Sequence, residues 1–200
     1  MVTKTVDGAS ARKGKQWIGI AIVIILSVLA WLGLLLIVLY GSMDVRSFLS
    51  SIAIMPSILL IMSIIVHVRS PPSGRQFLSN RLTTGFLAGL SATFCLDVSE
   101  LLLYSAGVAE FSVIMQGMLT NPQSVAWVTV LVGIMYHFIY FTTIGMFYAM
   151  IAGKSKWFYG LAWILLMELY ELNEFLTFAG IKYLVYGIVL GILVQRLTQR

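Results

Sequence analysis

The sequence predicts an all-α fold, a polytopic helical bundle that crosses a membrane six times with both ends in the cytoplasm. Three observations predict it. Hydrophobic residues make up 60% of the 200-residue chain and charged residues only 10%, where a soluble domain carries about a quarter. The apolar residues lie in long blocks, as a bilayer requires. The basic residues sit between the blocks and alternate in a way that sets orientation.

Residues 1–16 read as a basic, mobile cytoplasmic tail with Lys4, Arg12, Lys13 and Lys15. Residues 17–200 read as a single membrane domain. Its first span, about 17–40, is nearly unbroken Ile, Leu, Val and Ala. That run exceeds the roughly 7–15 residues of a signal-peptide core, so it reads as a retained anchor. A loop with Asp44 and Arg46 leads to the second span, about 49–68. Pro56 inside it removes a helical hydrogen bond, which predicts a kink.

Arg69-Ser70-Pro71-Pro72-Ser73-Gly74-Arg75 is the clearest break in the chain. The third span covers about 82–104. The connection 105–123 holds Gly107, Glu110 and Pro122, and its apolar middle, Phe111 to Leu119, predicts a short interfacial helix. The fourth span covers about 124–150, Gly153 to Lys156 make a tight turn, the fifth span covers about 157–176 and the sixth about 181–195.

Numbering the connections alternately from the inside tests this layout. The inner set holds Lys4, Arg12, Lys13, Lys15, Arg69, Arg75, Arg81, Lys154, Lys156, Arg196 and Arg200; the outer set holds Arg46 and Lys182. Short loops are where the positive-inside rule works, and an odd span would scramble the pattern. The net charge of +5 is thus spent on topology, and no aromatic and basic face suits nucleic acid. The single cysteine, Cys95, excludes an internal disulfide and a two-cysteine redox pair. It reads as a small buried hydrophobe. Spans one and two look featureless and peripheral, whereas spans three to six carry the polar and small residues.

Ionisable residues inside spans are costly and mark function. Asp97 and Glu100 lie in span three, His137 in span four, and Glu168, Glu171 and Glu174 in span five. Spacing by three puts each acidic set on one side of its helix. At the helical rise, Asp97 and Glu100 lie roughly 22–27 Å from the cytoplasmic edge and the three glutamates roughly 17–26 Å. These groups share the central and outer membrane and cannot all be ionised without counter-charges. Gly85, Gly89, Thr93 and Asp97 recur every fourth residue, a small-residue ridge for close helix approach. Gly133, His137, Tyr140 and Tyr148 share a stripe of span four, and the tyrosine hydroxyls are candidates to bond carboxylates.

Plainer readings stand beside these. Glu174 and Lys182, eight residues apart, predict a boundary ion pair. Asp97, Glu168 and Glu171 serve either function or helix–helix adhesion, and a lone interior histidine is more often simply hydrogen-bonded. Asp97, Glu100, His137, Glu168 and Glu171 are also candidate ligands for an oxygen-preferring metal such as manganese, iron or calcium. No phosphate loop, His-Glu-x-x-His or Gly-x-Ser-x-Gly occurs. The stretch from Arg81 to about Tyr170, with Gly85-x-x-x-Gly89, Thr93 and His137, resembles small bacterial membrane families of glycine-spaced helices, and that resemblance implies no activity. In size and span number the chain is similar to substrate-binding subunits of vitamin transporters, an analogy of architecture.

Three functions follow as expectations. The first is transport of protons or cations by Asp97, Glu168 and Glu171. The second is a non-catalytic subunit of a larger membrane complex. The third is a membrane-embedded metal-dependent enzyme, which fits least because its ligand spacing matches no known pattern. The expected partners are the lipid bilayer and a second membrane protein or another copy of the chain. The expected location is the cell membrane.

Overall fold

The computed structural model describes residues 4–40, 54–107, 127–153, 155–167 and 180–199, with side chains in the first helix from Gln16 to Leu36 and in the fourth from Ile134, residue 136 excepted. Every described element is a helix: α1 Lys4–Tyr40, α2 Ile54–Arg69, α3 Pro72–Ser105, α4 Trp127–Ala152, α5 Tyr159–Met167 and α6 Gly180–Thr198. Three of them contain stretches long and apolar enough to cross a membrane, namely Gln16–Leu36, Pro72–Ser105 and Gly180–Thr198. Among the described residues, further apolar stretches run over Ile54–Arg69 in α2 and His137–Ala152 in α4. The loop with Asp44 and Arg46, the segment Phe111 to Leu119, and Glu110, Glu168, Glu171 and Glu174 lie outside the described residues.

Helix boundaries differ from the sequence expectation in two places. The basic segment expected as a mobile tail is helical from Lys4 onward, because its Ala, Lys, Arg and Gln residues are good helix formers and extend the apolar helix. α3 starts ten residues before its apolar span, at Pro72. Proline is suited to a first helical position, where its missing N–H has no partner to lose, and Pro71 before it is extended (φ −64°, ψ 167°). Pro56 is the third described residue of α2, and the residues before Ile54, which would decide whether it bends the helix, lie outside the described residues.

α3 ends at Gly107, whose φ of +69° suits glycine; Ala106 and Gly107 donate their N–H groups to Leu102 and Tyr104 carbonyls. α4 ends likewise at Gly153 (φ +55°). A Cβ there would stand 2.5 Å from the Arg81 guanidinium. Arg81 is buried, donates from Nη1 to the Ala149 carbonyl at 3.2 Å, and lies 4.8 Å above the Phe77 ring. It therefore sets a cation against the negative end of α4.

Two apolar clusters form the core. In one, Ile20, Val23 and Leu26 of α1 pack with Leu59 of α2, Leu78 and Leu82 of α3 and Met146 of α4. In the other, Ala88, Ala92 and Leu96 of α3 pack with Ile144 of α4, Ile164 of α5 and Leu190 of α6. α3 and α4 belong to both, so they are the central pair. The first two helices are built into the bundle and are not the peripheral pair the sequence suggests. Ser27 Oγ donates to the Pro56 carbonyl, Trp31 Nε1 to Ser57 Oγ, and the Gly19 N–H to Ser79 Oγ.

The small-residue ridge of α3 meets α4 closely. A Cβ on Gly145 would stand 2.6 Å from the Gly89 Cα, and one on Gly85 would stand 2.5 Å from the Met146 Cα. Such contact is how helices associate where lipid removes the hydrophobic drive between them. The outward faces carry large exposed apolar side chains, including Ile25, Val28, Ile61, Phe94 and Leu102. That surface suits hydrocarbon and would be a liability in water.

Candidate functional site

The antiparallel α3–α4 pair positions the polar groups. Gly85 lies against Met146 and Gly89 against Thr142. Continuing in that register, α3 at Asp97 reaches α4 at His137. His137 Nε2 lies 2.7 Å from Asp97 Oδ1. This is a charge-assisted distance, short for a neutral pair. The side chains are 27% and 37% exposed, so the pair is neither sealed inside nor free on the surface. The His137 ring rests edge-on to Phe141 at 4.9 Å and to Phe138 at 5.9 Å, which holds its plane.

One helical turn further along α3, Glu100 is buried, its side chain 9% exposed, and its Oε1 lies 3.8 Å from Lys182 Nζ of α6. The Lys182 ammonium also sits 5.2 Å from the Tyr183 ring centre. Among the described residues, two acid–base contacts are thus stacked on one helix, the first reaching α4 and the second α6. Aromatic rings connect the two sides. Phe141 lies 5.1 Å from Tyr186 and 5.3 Å from Tyr140. The buried Tyr186 hydroxyl donates to the Phe141 carbonyl at 2.6 Å.

The other expected site residues have different surroundings. The buried Thr93 donates its hydroxyl to the Gly89 carbonyl within its own helix, so it serves packing at the ridge. Tyr148 is buried eleven residues beyond His137, 6.1 Å from Trp163 and 3.5 Å from Ser155 Oγ, and it bonds no described carboxylate. Tyr140 borders the aromatic cluster. Lys182, expected to face Glu174, stands beside Glu100. Glu174, Glu168 and Glu171 are outside the described residues. No three His, Cys, Asp or Glu side chains converge among the described residues, so Asp97 and His137 have no described third metal ligand. Cys95 lines an open groove of about 420 Å³ with Leu90, Ser91, Phe94 and Phe138.

Chemically, the pair brings a carboxylate and an imidazole, two groups that can each bind a proton, within hydrogen-bond distance of each other. Comparisons with protein-family models, with curated proteins and with solved structures each find no match. The likenesses in glycine spacing and in size therefore rest on those features alone.

Proposed function

We propose that the chain is one six-span domain of the cell membrane, with both termini cytoplasmic, that moves protons or cations across the bilayer. The observation that carries this reading is the 2.7 Å contact between His137 Nε2 and Asp97 Oδ1 at the packed α3–α4 interface. Ionisable groups inside a membrane are kept at a cost, and such residues mark ion and proton pathways. The partial exposure of both side chains supports access from outside the bundle. The alternation of basic loops supports the span count and the orientation.

The test is flux into vesicles reconstituted with the full chain. Asp97→Asn keeps the shape and removes the charge. Flux is expected to fall by about 100-fold, the scale at which one positioned proton-transfer group contributes. Helix content measured by circular dichroism is expected to stay unchanged. Glu168→Gln tests the second carrier suggested by the sequence. Flux that survives Asp97→Asn intact would overturn the reading.

A further inference from the structure

We infer that the end of the bundle carrying Arg69, Arg75, Lys156 and Arg196 is a docking surface for the phosphate headgroups of anionic phospholipids, whether or not the chain transports ions. Contacts at this end join all six helices. Gln16 Nε2 of α1 donates to the Pro72 carbonyl at the start of α3. Arg75 of α3 donates to the His67 carbonyl near the end of α2. Arg81 of α3 donates to the Ala149 carbonyl in the last turn of α4. Thr198 of α6 donates to the Gly153 carbonyl just beyond α4, and the Trp157 N–H, just before α5, donates to Gln195 Oε1 of α6. This placement follows from packing and does not depend on the number of spans.

The basic residues collect here. Arg69 ends α2, Arg196 lies in the last turn of α6, and Lys156 lies between α4 and α5; all three are exposed. Lys4, Arg12, Lys13 and Lys15 precede Gln16 in α1, Lys154 follows Gly153, and Arg200 follows Gln199. Asp7 is the one acidic residue in these stretches of sequence. The described carboxylates Asp97 and Glu100 stand at least sixteen residues beyond Arg81 on α3, about 24 Å at the helical rise. Helix dipoles do not offset the excess. α2, α4 and α6 end here while α3 and α5 begin here, so their fractional charges oppose one another. What is left is a strongly positive field that draws anions.

Depth selects the anion. Trp17, Trp157 and Tyr159 are exposed at this same end. Such rings gather where hydrocarbon meets headgroups, with an apolar body on one side and a polar N–H or O–H on the other. Lys156 sits among them, its ammonium 6.0 Å from the Phe158 ring centre, so the cations stand at headgroup level. Below them the surface is apolar. Ile61 and Ile65, both exposed, lie two turns and one turn before Arg69 on the same face of α2. A lipid whose phosphate pairs with Arg69 therefore lays an acyl chain along those isoleucines. A soluble anion gains no such second contact. A guanidinium meets phosphate oxygens with two parallel N–H donors, and basic side chains near the surface each add to the attraction for anionic lipid.

The experiment places the full chain in phosphatidylcholine vesicles with a trace of spin-labelled phosphatidylglycerol or, in parallel, spin-labelled phosphatidylcholine. Electron paramagnetic resonance separates label held against the protein from label free in the bilayer. The anionic label is expected to be held about fivefold more strongly, the scale of one near-surface cation, and to lose about half or more of that preference in Arg69→Gln/Lys156→Gln/Arg196→Gln. Molar salt is expected to remove it too, since screening then acts within about 3 Å. Arg69→Lys/Arg196→Lys keeps the charges and is expected to keep the preference, with circular dichroism confirming the helices of each variant. Equal retention of the two labels by wild type would overturn the inference, as would a preference that survives the triple variant. Loss in the charge-keeping variant would assign the effect to folding and overturn it. A stronger effect of inorganic phosphate than of chloride at equal ionic strength would assign the surface to a soluble anion. Equal retention together with an acidic protein that co-purifies with wild type but not with the triple variant would assign it to that protein. Either result would overturn the lipid assignment and leave the transport reading untouched.

Discussion

His67 is the least satisfied polar side chain among the described residues. It is 4% exposed, its ring centre lies 4.3 Å from that of Trp17, and neither ring nitrogen has a hydrogen-bond partner. Ser63 Oγ, one turn earlier on the same face of α2, is also unpartnered. Each such group forfeits the solvation it had in water, about 1–3 kcal/mol. His67→Phe keeps a flat ring against Trp17 and removes both nitrogens. The thermal midpoint of the detergent-solubilised variant is expected to equal or exceed that of wild type, by up to about 1 kcal/mol in stability terms. A clear drop would show that the imidazole is satisfied. The Glu100–Lys182 pair makes the opposite prediction. Lys182→Met leaves a buried carboxylate beside no ammonium, which costs about 3–5 kcal/mol where burial is complete and less here, since Lys182 is 18% exposed. Adding Glu100→Gln is expected to restore much of that loss, read as a double-mutant cycle of thermal midpoints. The candidate residues themselves were legible in the sequence, because an acid or histidine within an apolar run stands out. Their pairing was not. Lys182 reaches Glu100, eighty-two residues away, because α3 and α6 pack side by side, while Glu174, its expected partner, lies outside the described residues. The roles of Thr93 and Tyr148 turned on helix rotation and depth, which one sequence does not supply.

At the scale of helices, glycine sets how close the backbones come. Gly85 and Gly145 let α3 and α4 approach until a single added carbon would collide, and a Cβ on Gly89 would stand 3.0 Å from the Thr142 carbonyl oxygen. The collision partners are backbone atoms, which cannot rotate away. Gly145→Val is therefore expected to lose about 1–3 kcal/mol or more, the penalty of overpacking a tight core. It is also expected to separate Asp97 from His137, so flux should fall together with the thermal midpoint. Gly191 of α6 is a parallel case, since a Cβ there would run into the Trp157 carbonyl. In contrast, Gly107 has open space around it and a positive φ, so a substitution there strains only the local backbone. The ridge of every-fourth small residues announced the α3 contact in advance, because that spacing has no use on a lipid-facing surface. The ends of the helices were harder to see. Apolar runs mark the hydrocarbon zone, whereas α1 and α3 continue past it as polar helix from Lys4 and from Pro72. Hydropathy has nothing to report there, and only local helix propensity and the Pro-Pro pair do.

For the whole molecule, the length of α3 carries the topology argument. Its 34 residues extend about 51 Å at the helical rise, against roughly 30 Å of hydrocarbon. About 20 Å of helix must then project beyond the core or lie in its interfaces. On the six-span reading proposed above, the projecting part is the polar end, Pro72 to Arg81, where Arg75 donates Nε to the His67 and Ser70 carbonyls and ties α2 to α3. If the basic loops face the cytoplasm, that end does too, and Ser105 at the other end faces away. Single-cysteine chains test this after Cys95→Ser removes the native thiol. Ser10→Cys, Ser73→Cys and Gln199→Cys are expected to react with a membrane-impermeant maleimide from one side of oriented vesicles, and Ser105→Cys from the other. Each comparison isolates one part of the layout. Reaction of Ser73→Cys and Ser105→Cys from the same side would mean that α3 does not cross. Reaction of Ser10→Cys and Gln199→Cys from opposite sides would mean an odd number of spans. It would also move Arg196 and Arg200 to the face opposite the N-terminal basic residues, which weakens the charge asymmetry that orients the bundle.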